Sequence, residues 1–182
     1  MTDEPPSFDD VNTGRMVGIG LAGADLRGQD LRGRKLDGAT LDGAKLDGAD
    51  LRDAGLTGTS LIGASMVGVR LDGAGLNKTI LQDADLTNAC FDGADLEGVV
   101  LDGATLDGAT ARDTQWRDTR AVGGSWASVD FTGSSFAGCT LSDLSLAGTN
   151  LAGTKFRDST WDEISIDGLR GAGVSLLDCT IS

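Results

Sequence analysis

The sequence predicts a solenoid of square coils, and three observations carry that expectation. Leucine recurs every fifth residue from Leu36 to Leu51, through L-D-G-A-T, L-D-G-A-K and L-D-G-A-D. The same frame extends outward from Met16 to Ile181 without an inserted or deleted residue. Glycine, 28 residues in all, is the usual residue two places after the centre, as in Gly23, Gly43, Gly63, Gly103 and Gly133. A helix would need apolar recurrence at about 3.6 residues and a strand at about 2, so a period of five is neither. Glycine inside either element costs roughly 0.5–1 kcal/mol relative to alanine, so these glycines are expected at turns with positive φ. If each pentapeptide turns the chain by a quarter circle, four close one coil of 20 residues. The central side chain and the one two before it, usually Ala or another small or β-branched residue (Ala24, Ala84, Thr114, Val129), then point inward.

Residues 1–14 read as an irregular, acid-rich lead-in with Pro5 and Pro6, over which Phe8 partly caps the first coil; residues 15–182 carry the repeat. The lead-in has no apolar run of the kind a secretory signal or a membrane span requires, so a cytoplasmic protein is expected. The repeat is most regular from Arg15 to about Gly108. Between Ala111 and Ser128 the successive centres become Ala111, Trp116, Ala121 and Trp126. Two rings alternating with two methyls around one coil conserve volume in a close-packed interior, so these tryptophans are expected in the core. Leu169, two before Gly171, repeats the same compensation. Cys139 and Cys179 share an inward column two coils apart, at about 4.8 Å per coil too far for a disulfide, and Cys90 stands at an outward position. The chain ends without a polar terminator. An open β-solenoid end exposes unpaired backbone and apolar cross-section, so Val174, Leu176, Leu177 and Ile181 are expected to meet a second copy in an end-to-end homodimer.

The pentads A-D-L-R-G (24–28), A-D-L-E-G (94–98), V-D-F-T-G (129–133) and T-N-L-A-G (149–153) resemble the pentapeptide repeat family, over nearly the whole chain. The resemblance implies an all-β, right-handed quadrilateral parallel β-helix of about eight coils with no inserted loops, each coil contacting only its neighbours.

Catalysis is not expected. The chain has no histidine and no tyrosine, its inward positions are apolar or small, and a rod offers no cleft in which paired acids could act. Cys90, Cys139 and Cys179 lack metal-ligand spacing, so neither a metal nor a cofactor is expected.

Function is therefore expected at the surface. The formal charge is −13, from 28 acids against 15 bases. No base occurs between Lys78 and Arg112, while Asp83, Asp85, Asp92, Asp95, Glu97, Asp102 and Asp107 point outward. This acidic belt amounts to roughly one charge per 1 Å of axis, against about one per 1.7 Å in duplex DNA. A self-paired face bearing Asp30/Arg32, Asp50/Arg52 and Arg70/Asp72 reads as structural, whereas the belt lacks such partners and places Asp92 over Asp72. A second feature is an apolar stripe, Ile62, Ile80, Val100 and Val122, facing outward on one side of four consecutive coils.

The acidic rod is similar to the quinolone-resistance pentapeptide proteins. By that resemblance it would mimic DNA and bind a type II topoisomerase, DNA gyrase or topoisomerase IV. It would inhibit the enzyme or protect it from a poison, so conferring antibiotic resistance, including fluoroquinolone resistance, or self-immunity, without binding nucleic acid itself. Qnr-type members carry projecting loops needed for protection; this uninterrupted frame is closer to the loopless mycobacterial type. The alternative is a structural or adaptor solenoid that binds a protein through the apolar stripe.

Overall fold

The computed structural model describes residues 17–165, 167–168 and 170–181. The expected lead-in with Phe8, and Leu169, lie outside the described residues.

Each described pentapeptide makes one side of a square and pairs in parallel with the residue twenty positions on. One column runs Gly20↔Thr40↔Ser60↔Ile80↔Val100↔Arg120↔Thr140↔Thr160↔Thr180, eight steps of one coil each. At about 4.8 Å per step this is a rod of about 38 Å. The coils are joined by their backbones: Leu21 N–H donates to the Thr40 carbonyl at 2.7 Å, Thr40 N–H to the Ile19 carbonyl at 2.9 Å, and Gly23 N–H to the Asp42 carbonyl at 2.8 Å. The expected all-β solenoid of pentapeptide repeats is observed, with no helix among the described residues.

The corners explain the glycines. Ala24 N–H donates to the Leu21 carbonyl at 3.0 Å, and Gly23 between them has φ 68°, the third position of a type II turn that demands positive φ. Asp53, Asp83 and Asn88 take the same corner position at φ 56–58°, as short side chains that bond locally tolerate the left-handed region.

We name the four sides by their centres. Face A carries Leu21, Leu41 and so on to Ile181; face B carries Leu26, Leu46 and Met66; face C carries Leu31, Leu51 and Leu71; face D carries Leu36, Leu56, Leu96 and Trp116. All these centres up to Trp116, with the alanines before them, form the buried core. Inward threonines are satisfied rather than stranded: Thr59 and Thr79 donate to the Leu36 and Leu56 carbonyls, each at 2.8 Å.

The upper half differs. On face D, β1 (Asp95–Glu97), β2 (Gln115–Arg117), β4 (Ser135–Ala137), β6 (Lys155–Arg157) and β8 (Ser175–Leu177) form one parallel sheet. On face A, β3 (Arg120–Val122), β5 (Thr140–Ser142), β7 (Thr160–Asp162) and β9 (Thr180–Ile181) form a second. On face D, β2, β4 and β6 carry an aromatic column. Trp116 stacks on Phe136 at 5.3 Å, Phe136 on Phe156 at 4.7 Å, and Phe156 meets the edge of Trp161 at 4.5 Å. Ala111, Trp116, Ala121 and Trp126 are all fully buried, with the two indoles 5.7 Å apart. The expected exchange of ring for methyl is therefore observed. Trp116 donates Nε1–H to Thr114 Oγ1 at 2.7 Å, whereas Trp126 Nε1 has no hydrogen-bond partner among the described residues.

Two glycines answer to close approach rather than to the ordinary corner. Gly124, beside Trp126, has φ 103°, and a Cβ there would collide with the Ala104 carbonyl oxygen. Gly171, at a central position, has φ 135°, and a Cβ would run into the backbone of Leu151 and Ala152.

Candidate functional site

Stacking at twenty residues decides which charges meet, and it corrects the reading of the acidic belt. The seven acids do not share a face: Asp83 and Asp102 lie on face A, Asp85 and Asp107 on B, Asp92 on C, and Asp95 and Glu97 on D. Nor do they lack partners. The coil above carries Arg112, Arg117 and Arg120. Arg112 pairs with Asp92 at 3.0 Å, Arg117 with Asp95 at 2.7 Å and with Glu97 at 3.4 Å, and Arg120 with Asp102 at 2.9 Å. Asp92 above Asp72 is relieved in the same way, since Arg70 lies 3.4 Å from Asp72. Looking 18 to 22 residues on from each of these four acids would have found the bases. A linear window from Lys78 to Arg112 could not.

Several of the acids also hold the coils together. Asp102 accepts from the Val122 backbone N–H at 3.0 Å; Asp107 accepts from Ala127 N–H at 2.8 Å and from the Ser125 hydroxyl at 2.6 Å. Lower on the rod, Asp42 accepts from Ser60 Oγ at 2.5 Å and Ile62 N–H at 3.1 Å, and Asp47 from Ser65 Oγ at 2.6 Å and Val67 N–H at 3.1 Å. The recurrent L-D-G aspartate is thus a clamp on the outward backbone N–H of the next coil, a role the repeat motif left unstated.

Face C carries the expected ladder. Arg32 pairs with Asp30 and Arg52 with Asp50, each at 2.5 Å, and a rung from Arg32 to Asp50 spans 3.8 Å. Bonding to Arg32 holds the Asp30 carboxyl down to about 2, and Arg27 does the same to Asp25. On the same face the Cys90 thiol donates to Asp72 Oδ1 at 3.0 Å and accepts from Thr110 at 3.2 Å. Burial, helped by that carboxylate, raises its pKa. Cys139 is buried and pushed up to about 11 by desolvation. Among the described residues no His, Cys, Asp or Glu group is arranged to hold a metal ion.

Six further carboxylates stand at the edges of face A, and other acids outside these ion pairs stand elsewhere, such as Asp85 and Asp107 on face B and Asp113 at the corner after face C. Asp83, Asp143 and Glu163 line one edge; Asp118, Asp158 and Asp178 line the other. All six are exposed corner residues with φ between 49° and 56°. None of the six belongs to any of the ion pairs above. Face D, by contrast, bears the exposed Lys155 and Arg157. The apolar stripe lies lower on face A, where Ile62 is 38% exposed while Ile80, Val100 and Val122 are half-buried. At the upper end Val174, Leu176, Leu177 and Ile181 are between 41% and 64% exposed.

The profile described as "Pentapeptide repeats (8 copies)" matches residues 21–58, 35–73, 49–88, 79–114 and 127–160. No curated protein sequence matches the chain. Among solved structures, HetL, a pentapeptide repeat protein involved in heterocyst differentiation regulation from the cyanobacterium Nostoc sp. strain PCC 7120, is similar at TM-score 0.71 and 23% identity, over 91% of this chain and 84% of HetL. Trypsin-treated QnrB1, a plasmid-mediated fluoroquinolone resistance protein, is similar at TM-score 0.43 and 17% identity over 89% of each chain. A pentapeptide repeat protein from the Arabidopsis thaliana thylakoid lumen is similar at TM-score 0.27 and 28% identity, over 71% of this chain and 74% of its own. The likeness to HetL speaks to the fold.

Proposed function

The chain belongs to the pentapeptide repeat family, and we propose that it is a DNA-mimicking binding protein that engages a type II topoisomerase, in the first instance DNA gyrase. On this reading it inhibits the enzyme or shields it from a poison, acts in the cytoplasm, and is not itself an enzyme. The observation that carries the proposal is the acidic upper part of the two edges of face A, Asp143 and Glu163 on one and Asp118, Asp158 and Asp178 on the other, with Asp83 lower down across from Lys78. They replace the belt as the mimicking surface. Two rows of fixed negative charge along a narrow rod suit a basic groove that otherwise holds the two phosphate backbones of a duplex. Charge of this kind speeds association and makes it sensitive to salt. Pairing of two copies through Val174, Leu176, Leu177 and Ile181 would cover the exposed apolar end and lengthen the rod.

The test is a gyrase supercoiling assay with the parent chain and with a triple variant, Asp143→Lys, Asp158→Lys and Glu163→Lys. Lys78 already occupies an equivalent corner at φ 59°, so lysine suits this backbone. The parent is expected to inhibit and the variant to lose inhibition with its circular dichroism unchanged. Equal inhibition by both would remove the face A edges from the site, and no inhibition by the parent would end the gyrase reading.

A second reading is favoured by the exposed Ile62: an adaptor solenoid that binds a protein through the stripe Ile62, Ile80, Val100 and Val122.

A further inference from the structure

We infer that the Asp167-Gly168 peptide, on the uppermost described coil, is a site of spontaneous isomerisation to isoaspartate, and that stacked coils protect every other Asp-Gly pair of the chain. The inference is independent of gyrase and of the adaptor reading. In the reaction the Gly168 amide nitrogen attacks Cγ of the protonated Asp167 carboxyl. A nitrogen–carbon bond forms, and the side-chain hydroxyl leaves as water with the amide hydrogen. A second water then opens the cyclic imide. Attack at the α-carbonyl carbon breaks the original peptide bond and leaves the main chain running through Cγ with a free α-carboxylate; attack at Cγ regenerates aspartate.

Eight Asp-Gly dipeptides occur in the sequence, at 37–38, 42–43, 47–48, 72–73, 92–93, 102–103, 107–108 and 167–168. All share one place in the frame, the aspartate just after the centre and the glycine at the positive-φ corner. For the nitrogen to reach Cγ, the peptide joining the two residues must rotate out of that turn. In the first seven pairs it is held from both sides. The glycine N–H donates to a carbonyl of the coil above at 2.8–3.1 Å, and the aspartate carbonyl accepts from the coil below at 2.8–3.1 Å. The carboxylates are held too. Asp37 accepts from Thr57 N–H at 3.0 Å, Asp72 from Cys90 Sγ at 3.0 Å and Asp92 from Arg112 N–H at 2.9 Å, while Asp42, Asp47, Asp102 and Asp107 make the clamps described above. All seven aspartates are half-buried.

The eighth pair keeps one of these restraints. The Asp167 carbonyl accepts from Gly148 N–H at 2.8 Å. Among the described residues, however, Gly168 N–H has no acceptor and the Asp167 carboxylate has neither a hydrogen-bond donor nor an ion pair, and both residues are exposed. Rotation here gives up one backbone bond, whereas in the other pairs it gives up two and frees a clamped carboxylate. Each bond that must open first lowers the population from which attack can start, so Asp167 is expected to isomerise about tenfold or more faster than the others. The product adds a methylene to the main chain at the corner between faces B and C. It therefore breaks the frame of five just before the strand that sets Leu176 over Phe156 and Leu177 over Arg157, and loosens the exposed apolar end.

The experiment ages the full chain in dilute, mildly acidic buffer at body temperature, either folded or in urea. Samples are digested with trypsin, and isoaspartate is located by electron-transfer fragmentation, which reads the displaced backbone methylene directly. Asp167 falls in the fragment 158–170, between Arg157 and Arg170. In the folded chain isoaspartate is expected to accumulate at Asp167 about tenfold or more faster than at any other Asp-Gly pair. In urea all eight pairs are expected to react at comparable rates. The Asp167→Ala variant is expected to remove the signal from that fragment. Ala127 and Ala147 occupy equivalent outward positions on face B, so the variant is expected to fold, and circular dichroism checks it. Isoaspartate persisting in the variant's fragment would assign it to Asp158 or Asp162 and overturn the inference, as would the absence of any excess at Asp167 in the folded parent. An excess that survives in urea would trace the reactivity to local sequence and overturn the protective role of the coils. Supercoiling is read on fresh protein, so failure here and failure of the gyrase reading are separable.

Discussion

The lower and upper halves of this rod share one backbone frame and differ in what fills it. Below Phe91 the described core is leucine, methionine, alanine, valine and threonine, and the coils are joined by single bridges at each face. From Phe91 upward, Phe91, Trp116, Trp126, Phe131, Phe136, Phe156 and Trp161 enter the core, and strands of two or three residues appear on faces A and D. The strands do not simply follow the rings: β1, β3 and β5 are centred on Leu96, Ala121 and Leu141, while Trp126 and Phe131 stand on faces joined by single bridges. The lesson is that the frame constrains backbone and spacing, whereas inward volume need only balance around each coil. Face C shows a parallel contrast in charge: tight Asp–Arg pairs below, and Arg112 bridging toward both Asp92 and Asp130 above.

The largest effect is expected where the halves differ most. Trp116→Leu, which imposes a lower-half centre on the upper core, should cost about 2–4 kcal/mol in urea unfolding. Adding Ala111→Leu should recover about 1 kcal/mol or more, because both side chains face the same fully buried interior. Additive losses in that cycle would mean that the ring-for-methyl exchange is not a compensation. A smaller effect is expected at the corners. Gly124→Ala should cost about 1–3 kcal/mol, since a Cβ at its φ of 103° strikes Ala104. Gly63→Asn, at φ 63° with open space around it, should cost less than about 1 kcal/mol, and comparable thermal shifts at the two sites would contradict the distinction.

The smallest effect concerns the exposed pairs. Asp25 and Asp30 have ordinary values of 3.8 and are held down to about 2 by Arg27 and Arg32. A lowered folded value contributes stability above the unfolded value and loses it as pH falls through the folded one, so the window lies between about 4 and 2. Carboxyl NMR titration of Arg27→Gln/Arg32→Gln should move both midpoints back toward 3.8, with little change in stability near neutral pH. Midpoints that stay near 2 would assign the shift to something other than the arginines.

Much of this architecture is legible in the order of residues alone. A frame held from Met16 to Ile181, with Gly two places after the centre, implies inward columns, positive-φ corners and a buried Trp116 and Trp126, because each follows from local spacing. The surface is less legible. Asp92, Asp95, Glu97 and Asp102 read as unpaired because the bases that neutralise them lie 18 to 22 residues on, outside any local window. The clamp made by Asp42 is hidden for the same reason, since its donors, Ser60 and Ile62, belong to the next coil.

By itself, then, the sequence determined the period, the coil and the composition of the core, all of which are set within a few residues by turn preference and side-chain size. Tertiary structure alone decided which charges cancel, bringing Arg112, Arg117 and Arg120 to Asp92, Asp95, Glu97 and Asp102 and leaving Asp143, Glu163, Asp118, Asp158 and Asp178 outside those pairs at the edges of face A. The physical reason is that a coulombic partner is chosen by distance in space, and in a solenoid the nearest neighbour in space is one full coil away in sequence.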